Sequence, residues 1–333
     1  QKSKNFCINQ PLLNTYSFPP LFLCYNVFIT YWNGKNIPRV TFQNGKVDTV
    51  LTLKNGDGIV WPHGKRIAAL VTFELDAELL RQSVVGRKDI GFSDTSRGQF
   101  GPLTGLPRCL AMLRRQGLKT TFFVPGRIAE EYPEAVAAIV RDGHELAYHG
   151  YDHDNTVGLP REQEEANMAR SEALLTAAAG VRPVGARGPL DVLQEYSTDL
   201  FKERGYLYDS TLKDCDWPYV LPNGLVELPV DVAQDDFPFF YFTYADGFPI
   251  YCSYLPDDVR VFWQDAFDEL AAEGDKVFVL KLHPQLIGRL GRLRMVEQFL
   301  LYMQQNGAWL TTCREAAEYV RDFYAGKNAP GAV

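Results

Sequence analysis

The chain of 333 residues has few of the residues that build several common kinds of functional site. It has five histidines and six cysteines, and no two cysteines show the C-x-x-C spacing of many structural zinc sites. The scattered cysteines indicate mostly reduced thiols. The net charge of −7 and the lack of a Lys/Arg stripe argue against a nucleic-acid partner. Because no apolar run reaches about 20 residues, we expect no membrane span.

Alanine is absent from residues 1–60, whereas the rest of the chain is rich in it. The early stretch is aromatic and β-prone, with Asn44-Gly45 and Asn55-Gly56 as turn signals. It is interpreted equally well as a small β-rich appendage or as a non-catalytic extension. Its apolar residues 19–28 lack the basic start and small-x-small cleavage site of a secretion signal. The sequence therefore favours a cytoplasmic protein, with secretion or the cell envelope as the alternative.

From residue 65 onward, strand patterns alternate with helix patterns, which is typical of a parallel sheet. The apolar run Ile67–Phe73 predicts a strand buried on both faces. Residues 210–257 contain six prolines and predict long loops with short strands. The remaining pattern predicts strands over 120–124, 145–149, 181–186, 276–282 and from 308, and helices over 106–116, 133–141, 160–179, 193–204, 258–273, 292–305 and up to 325.

Polar residues stand at the C-terminal ends of several predicted strands. They are Glu74 and Asp76, His149 and His153, Arg187, and His283. Side chains from strands this far apart in sequence converge readily at the C-terminal mouth of a barrel, whereas an open sheet would need a switch point to collect them. We therefore predict an α/β fold with a distorted or incomplete barrel over residues 61–327, preceded by the β-rich appendage over residues 1–60.

The H-x3-H spacing of His149 and His153 is a candidate metal motif. Gly150 and the preceding strand favour a turn over a helix, and a turn can still bring both imidazoles together. Two ordinary loop histidines are the alternative, because short motifs match by chance. With one carboxylate from the end of the strand that carries Glu74 and Asp76, they would form a three-ligand site that suits Zn²⁺, and also Fe²⁺ or Co²⁺. Glu74 shares a strand face with Asp76, and a metal with its water would compensate for burying both carboxylates.

Several motifs, in order across residues 61–325, together resemble those of the polysaccharide deacetylases, the NodB-homology carbohydrate esterases. They are Trp61-Pro62-His63-Gly64, Thr72-Phe73-Glu74-Leu75-Asp76, His149 to His153, Arg187-Gly188-Pro189 and Leu282-His283-Pro284. One branch of this family is most similar, because it also has an S-R-G-x-F segment (residues 96–100) and a G-x-P-R-type helix start (residues 105–110). That branch includes peptidoglycan deacetylases, cyclic imide hydrolases and cofactor-free allantoinases.

The resemblance implies a distorted (β/α)7-type barrel of the NodB kind and a role for each polar residue. The implied roles are metal ligand for Asp76, His149 and His153, general base for Glu74, general acid for His283, and orientation of the base for Arg187. A structural salt bridge is the alternative for Arg187. The family has aspartate at the position of Glu74, and base geometry tolerates little error. A catalytically weak carbohydrate-binding relic therefore stays one of the functional hypotheses.

The implied reaction is hydrolysis of an amide by a metal-activated water, with Glu74 accepting a proton and His283 donating one to the leaving nitrogen. One hypothesis is N-deacetylation of a sugar polymer such as peptidoglycan, and another is hydrolysis of a small cyclic imide or ureide. A closed pocket would favour the small substrate and an open groove the polymer. The insert over residues 77–100 is placed to wall off the site. The branch also suggests assembly into a homo-oligomer.

Other polar and aromatic residues are predicted to be structural. His63 and His144 are expected to serve the fold, and Asp235-Asp236 is expected to be a solvated loop pair. An aromatic group between residues 217 and 241 is predicted to be core, with a sugar-stacking wall as the alternative. Its members are Trp217, Tyr219, Phe237, Phe239, Phe240 and Tyr241.

Overall fold

The computed structural model describes residues 58–245, 248–251 and 254–326. The predicted appendage of residues 1–60 lies outside these ranges except at its C-terminal end, so it stays a prediction. Within the described ranges, no helix has both the length and the apolar character needed to cross a membrane.

The strands of the structure follow one another in the order expected for alternating strands and helices. They are β1 (Ile67–Glu74), β2 (Thr121–Val124), β3 (Glu145–Tyr148), β4 (Gly185–Ala186), β5 (Tyr208–Asp209), β6 (Tyr219–Val220), β7 (Val226–Glu227), β8 (Phe242–Ala245), β9 (Phe248–Tyr251), β10 (Val277–Leu282) and β11 (Ala308–Thr311).

The helices connect these strands and pack around them. They are α1 (Glu78–Val85), α2 (Phe92–Phe100), α3 (Leu106–Gln116), α4 (Gly126–Glu131), α5 (Pro133–Arg141), α6 (Arg161–Ala179), α7 (Ser197–Glu203), α8 (Phe237–Phe240), α9 (Pro256–Glu273), α10 (Pro284–Ile287), α11 (Leu290–Gln305) and α12 (Cys313–Tyr324).

The main sheet is centred on β1 and runs in the order β10-β1-β2-β3-β4-β5-β7-β6, while β8 and β9 form a separate hairpin. The first half of β1 pairs with β11 and its last residues pair with β2. All pairs of the main sheet are parallel except β6 with β7. Parallel pairing brings the carboxyl ends of β1, β2, β3, β4 and β10 to one edge of the sheet.

The sheet curls into an incomplete barrel, which confirms the predicted fold class. Loop backbone, and not a further long strand, borders the outer edge of β10. The Val277 N–H donates to the Asp216 carbonyl at 2.9 Å, and the Asp236 N–H donates to the Lys281 carbonyl at 3.1 Å. Among the described residues, the proline-rich segment forms loops with short strands, and its loops at Asp216 and Asp236 border this edge of β10.

The apolar sequence of β1 reflects burial on both of its faces. Alternate side chains of a strand point to opposite faces. Ile67 and Phe73 pack into a core cluster with helices α3, α5, α9 and α11. Ala68 and Leu70 pack into a second cluster with α12. The strand is therefore anchored from both sides, and the residues that follow it at the edge of the sheet are held in place.

Two predicted elements are shorter in the structure. The predicted strand over 181–186 forms only at Gly185–Ala186, because Pro183 has no N–H to donate to a ladder. Tyr208 packs directly on the backbone of Gly185, where an added Cβ would stand 1.9 Å from the ring. The predicted helix over 193–204 begins at Ser197, since Gln194 is held in a turn by its bond to the Thr156 carbonyl.

The insert over residues 77–100, which the sequence left without assigned elements, forms the helix pair α1 and α2. The two helices meet at Gly98, where an added Cβ would lie 2.5 Å from the Cα atom of Glu78. Only glycine allows this approach, which accounts for the glycine of the S-R-G-Q-F segment. The crossing presents Leu80 and Ser83 of α1 to the polar edge of the sheet.

Candidate active site

The structure brings all six predicted site residues together at the carboxyl edge of the sheet. Glu74 ends β1 and Asp76 lies two residues beyond it, while His149 follows β3 directly. Arg187 follows β4 and His283 follows β10. His153 reaches the same place from the turn after β3. Every one of these side chains is buried, with at most 5% of its residue exposed.

Three of these residues could hold a metal ion. Asp76, His149 and His153 each offer one ligand atom, and the three atoms lie within 4.8 Å of one another. Asp76 Oδ1 is 3.6 Å from His149 Nε2, and Asp76 Oδ2 is 3.6 Å from His153 Nε2. Glu74, Asp76 and His283 form a second trio within the same limit. Geometry alone therefore permits more than one ligand set.

Unpaired buried atoms favour a cation at the first of these sets. Both carboxylate oxygens of Asp76 and the Nε2 atom of His149 are buried without a hydrogen-bond partner among the described residues. Leaving such groups unpaired in a protein interior is costly. A divalent cation would pair all three atoms, so the residues present fit such an ion.

Outer contacts orient both imidazoles with Nε2 toward Asp76. His149 Nδ1 lies 2.9 Å from the Arg187 carbonyl oxygen, which can only accept, so Nδ1 carries the proton. His153 Nδ1 lies 3.0 Å from Ser83 Oγ. Burial holds the pKa of His153 well below its ordinary value, so the ring is neutral. The Ser83 hydroxyl donates to the His153 carbonyl and so accepts the proton of Nδ1, which leaves the Nε2 lone pair to bind a metal. No sequence motif marks Ser83 as a site residue.

A tight turn joins the two histidines, as the sequence predicted. Gly150 has φ of 74° and His153 has φ of 57°, both in the left-handed region. An added Cβ on Gly150 would lie 2.6 Å from Cγ of Pro189, which belongs to the Arg187-Gly188-Pro189 motif. The two motifs therefore pack against each other through glycine, and this contact fixes the distance between the histidine turn and the loop after β4.

The Glu74 carboxylate points to the same position as that of Asp76. Its Oε1 atom accepts a hydrogen bond from Arg187 Nη1 at 2.9 Å. Its Oε2 atom lies 3.4 Å from His149 Nε2 and 3.3 Å from His283 Nε2. Burial alone would raise the pKa of Glu74, but the nearby imidazoles of His149 and His283 lower it well below its usual range. The side chain is therefore held as a carboxylate.

Arg187 is fixed on every side. Nε and Nη2 donate to the carbonyl and hydroxyl oxygens of Ser210 at 2.8 and 2.9 Å, and Nη1 also donates to Thr72 Oγ1 at 2.9 Å. The guanidinium carbon lies 4.1 Å from the centroid of the Phe123 ring. The buried ion pair with Glu74 is thus part of the structure and also sets the orientation of the Glu74 carboxylate.

Asp236 is a site residue that the sequence interpretation missed. The prediction that Asp235 and Asp236 form a solvated loop pair is wrong, because both are buried. Asp236 Oδ1 lies 2.6 Å from His283 Nδ1, and its Oδ2 accepts the His283 backbone N–H at 3.0 Å. Burial alone would lower the pKa of His283, but Asp236 raises it well above its ordinary value. No motif around residue 236 marks this long-range contact.

A cavity of about 280 Å³ opens onto the site. Phe237 lines it, whereas Tyr219, Phe240 and Tyr241 are buried in the core as predicted. His144 lies away from the cavity, and its Nδ1 accepts the Thr120 N–H at 3.2 Å. The lining consists of Glu74, Leu80, His153, Leu190, Asp191, Lys213, Val232, Asp235, Phe237, Pro238, Lys281 and His283.

Known proteins share this arrangement of sequence and fold. The polysaccharide deacetylase family model matches residues 99–208. A Helicobacter pylori peptidoglycan deacetylase is 28% identical over 259 residues, which cover 68% of this chain and 88% of that protein. The crystal structure of an allantoinase has a TM-score of 0.68 at 26% identity and covers 78% of this chain and 91% of its own.

One solved structure is similar over nearly its whole length. It is a Mycobacterium smegmatis protein described as a polysaccharide deacetylase, with 34% identity and a TM-score of 0.75. The match covers 80% of this chain and 94% of that one. This similarity agrees with the motifs that meet at the carboxyl edge of the sheet. The chain therefore belongs to the polysaccharide deacetylase family.

Proposed function

We propose that this protein is a metal-dependent hydrolase that removes acetyl groups from N-acetylated sugars of a polysaccharide or peptidoglycan. One observation carries the proposal: Glu74 Oε2 and His283 Nε2 lie 3.3 Å apart beside the unpaired ligand atoms of Asp76 and His149. A carboxylate and a protonated imidazole in one cavity are the base and acid that amide hydrolysis needs. The deacetylase relatives support the choice of substrate.

Asp76, His149 and His153 are the proposed ligands of a divalent cation, with Zn²⁺ as the first choice and Co²⁺ or Fe²⁺ as alternatives. When bound, such a cation supplies a Lewis acid and lowers the pKa of a coordinated water. The carbonyl of Arg187 and the hydroxyl of Ser83 hold the two imidazoles in the tautomer that binds metal.

Glu74 is the proposed general base. Arg187 occupies its Oε1 atom, so Oε2 faces the cavity and can accept a proton from the attacking water. The low pKa of Glu74 keeps this carboxylate ionised at neutral pH. The extra methylene of glutamate does not displace the carboxylate, since Oε2 remains within 3.4 Å of His149 Nε2. This contact argues against a binding relic.

His283 is the proposed general acid. Asp236 occupies the Nδ1 side of the ring, so the Nε2 proton points into the cavity and can pass to the leaving nitrogen. The raised pKa of His283 keeps the ring protonated at neutral pH. The imidazolium and the Glu74 carboxylate therefore begin the reaction in the states that their roles require.

The burial of the proposed base and acid favours a second candidate, hydrolysis of a small cyclic imide or ureide. The side chains of Glu74 and His283 are only 7% and 4% exposed, and α1 contributes Leu80 to the wall. The similarity to an allantoinase agrees with a small substrate. The same base and acid would serve this reaction, so substrate screening separates the two candidates.

The test combines metal analysis with a substrate screen. Metal-loaded protein is incubated with N-acetylated chito-oligosaccharides, peptidoglycan, succinimide and allantoin, and acetate release or ring opening is measured. We expect acetate from the sugars, and ring opening alone would support the second candidate. His149→Ala should lose metal and activity together, while Glu134→Gln, which changes an exposed residue of α5, should lose neither. Metal-loaded protein that hydrolyses none of these amides would contradict both enzymatic candidates.

A further inference from the structure

Lys281, Asp191 and Asp235 form a charged trio in the wall of the cavity that has no part in the proposed reaction. The Nζ atom of Lys281 lies 2.9 Å from Asp235 Oδ2 and also pairs with Asp191 Oδ2. Lys281 is almost completely buried, with 1% of its side chain exposed. All three residues line the same cavity as Glu74 and His283. A buried lysine between two carboxylates is costly unless each charge is paired, so the arrangement calls for an explanation.

The two carboxylates of this trio differ in how completely they are bonded. Asp235 uses both oxygens, since Oδ1 accepts the Phe237 N–H at 2.8 Å and Oδ2 pairs with Lys281. Asp191 uses only Oδ2, and its Oδ1 has no hydrogen-bond donor among the described residues. The side chain of Asp191 is 16% exposed and faces the cavity. One strong acceptor is therefore directed at whatever occupies the cavity.

The backbone that carries Asp191 is strained. Leu190 and Asp191 have φ of 57° and 55°, a conformation that side-chain-bearing residues rarely adopt twice in succession. Lys213 Nζ donates to the Asp191 carbonyl at 2.9 Å, and Lys281 holds the carboxylate. Strain of this kind persists where neighbours enforce it, and it concentrates at ligand-binding sites. Two lysines thus hold one aspartate in an unfavourable conformation at the cavity.

We propose that Asp191 binds the substrate, its Oδ1 accepting a hydrogen bond from a donor group next to the scissile amide, and that Lys281 is the residue that positions it. The inference rests on the proposed function and adds a substrate contact to that site. In an N-acetylated sugar the donor is a ring hydroxyl, and in a ureide it is an N–H group. Both donors are neutral groups that would hydrogen-bond to the charged carboxylate of Asp191.

Binding is measured by calorimetry in the His283→Ala background, so that the ligand is not consumed. We expect Asp191→Asn to raise the Kd of tri-N-acetylchitotriose at least tenfold, roughly what the loss of a hydrogen bond to a charged group produces. The control is Asp257→Asn, which changes an exposed aspartate of α9 and should leave the Kd unchanged. Allantoin in a parallel titration shows whether the donor belongs to a ureide.

Steady-state kinetics separate binding from structural damage. In the otherwise native protein, Asp191→Asn should raise KM by a similar factor and change kcat less than twofold, as expected for an interaction made equally in the ground and transition states. Lys281→Met, or Lys281→Gln if the first variant does not fold, should raise KM. In the double variant, KM should be no higher than in Asp191→Asn alone, because Lys281 acts through the aspartate.

Several results would overturn this inference. An unchanged Kd and KM in Asp191→Asn would do so. An equal rise of the Kd in the control Asp257→Asn, or failure of the protein to bind either tri-N-acetylchitotriose or allantoin, would do so as well. A protein that binds tri-N-acetylchitotriose through Asp191 but hydrolyses no amide would refute the proposed function and leave this inference standing. Amide hydrolysis with a KM that does not depend on Asp191 would refute this inference and leave the proposed function standing.

Discussion

His283 and Glu74 differ in charge because their neighbours differ. Asp236 on one side of the imidazole raises the pKa of His283, and the imidazoles around Glu74 lower the pKa of that carboxyl group. Their ordinary pKa values are about 6.5 and about 4.3, so these shifts move them further apart. The pH–rate profile should therefore be bell-shaped, with an alkaline limb that belongs to His283.

His283→Ala should lower kcat on the order of 10²–10⁴-fold, the usual contribution of one general acid. The alkaline limb of the pH–rate profile should flatten, because the titrating acid is gone. Metal content should stay at the native level, since His283 is not among the proposed ligands. Kinetics over a pH series and metal analysis check these points. Loss of metal in the variant would instead identify His283 as a ligand, as the trio of Glu74, Asp76 and His283 permits.

Asp236→Asn should move the alkaline limb to lower pH. The carboxylate of Asp236 raises the pKa of His283, so its removal lets the imidazolium lose its proton at a lower pH. Activity should fall most above neutral pH and least on the acidic side. The measurement is kcat/KM across pH, with Asp231→Asn on the neighbouring loop as the control. An alkaline limb that stays at its native pH would show that Asp236 does not set the pKa of the acid.

Among the elements, α1, which packs against α2, forms one wall of the site. Gly98 allows the two helices to touch, and Ser83 of α1 bonds to both the ring and the carbonyl oxygen of His153. The packing of these helices is therefore coupled to the orientation of one proposed metal ligand. A change at their crossing, away from the cavity, should affect the site.

Gly98→Ala should destabilise the protein by about 1–3 kcal/mol, because the added methyl group collides with backbone that cannot move aside. Metal affinity should fall as well, since α1 carries Ser83. Denaturant unfolding and metal titration measure the two effects. Gly91→Ala, at the start of α2 where an added Cβ meets nothing within 4 Å, is the matched control. Equal stability of the two variants would refute the close crossing.

At the scale of the whole molecule, the proposed catalytic unit carries every residue of the site. Its N-terminal limit lies slightly before the residue 61 expected from composition. Ile59 packs in the core cluster that contains Trp61, and the Val60 carbonyl accepts a hydrogen bond from Tyr319. A truncation that removes all of residues 1–60 would therefore open this cluster, whereas one that keeps residue 58 onward would not.

Deletion of residues 1–57 should leave metal content and kcat at native levels, because all site residues that the structure describes lie at Glu74 or after it. The melting temperature should also be retained, since Ile59 and Trp61 stay in place. Metal analysis, kinetics and thermal unfolding of the truncated protein test this. Deletion of residues 1–61 serves as the comparison and should lower the melting temperature by exposing the cluster. A folded residue 58–333 protein without metal would contradict the proposed independence of the catalytic unit.

The strand–helix alternation, the parallel sheet and the polar residues at its carboxyl edge could all be predicted from the sequence. These features follow from local periodicity and from motifs, which a single chain displays directly. Glu74, Asp76, His149, His153, Arg187 and His283 were all found in this way. Some helix ends were also predicted correctly. The helix Leu106–Gln116 ends as predicted, because Gly117 adopts the left-handed conformation that ends a helix.

Tertiary structure alone decided which side chains tune and enclose the site. Asp236, Ser83 and Asp191 contact residues between 47 and 90 positions away, and no local pattern records such contacts. The polar pair Asp235-Asp236 is typical of a solvated loop. Asp236 is nevertheless buried, because the loop before α8 borders β10. A sequence specifies which groups are available, whereas their burial and pairing depend on how distant segments pack. Burial and pairing in turn set the pKa values of these groups and the shape of the cavity.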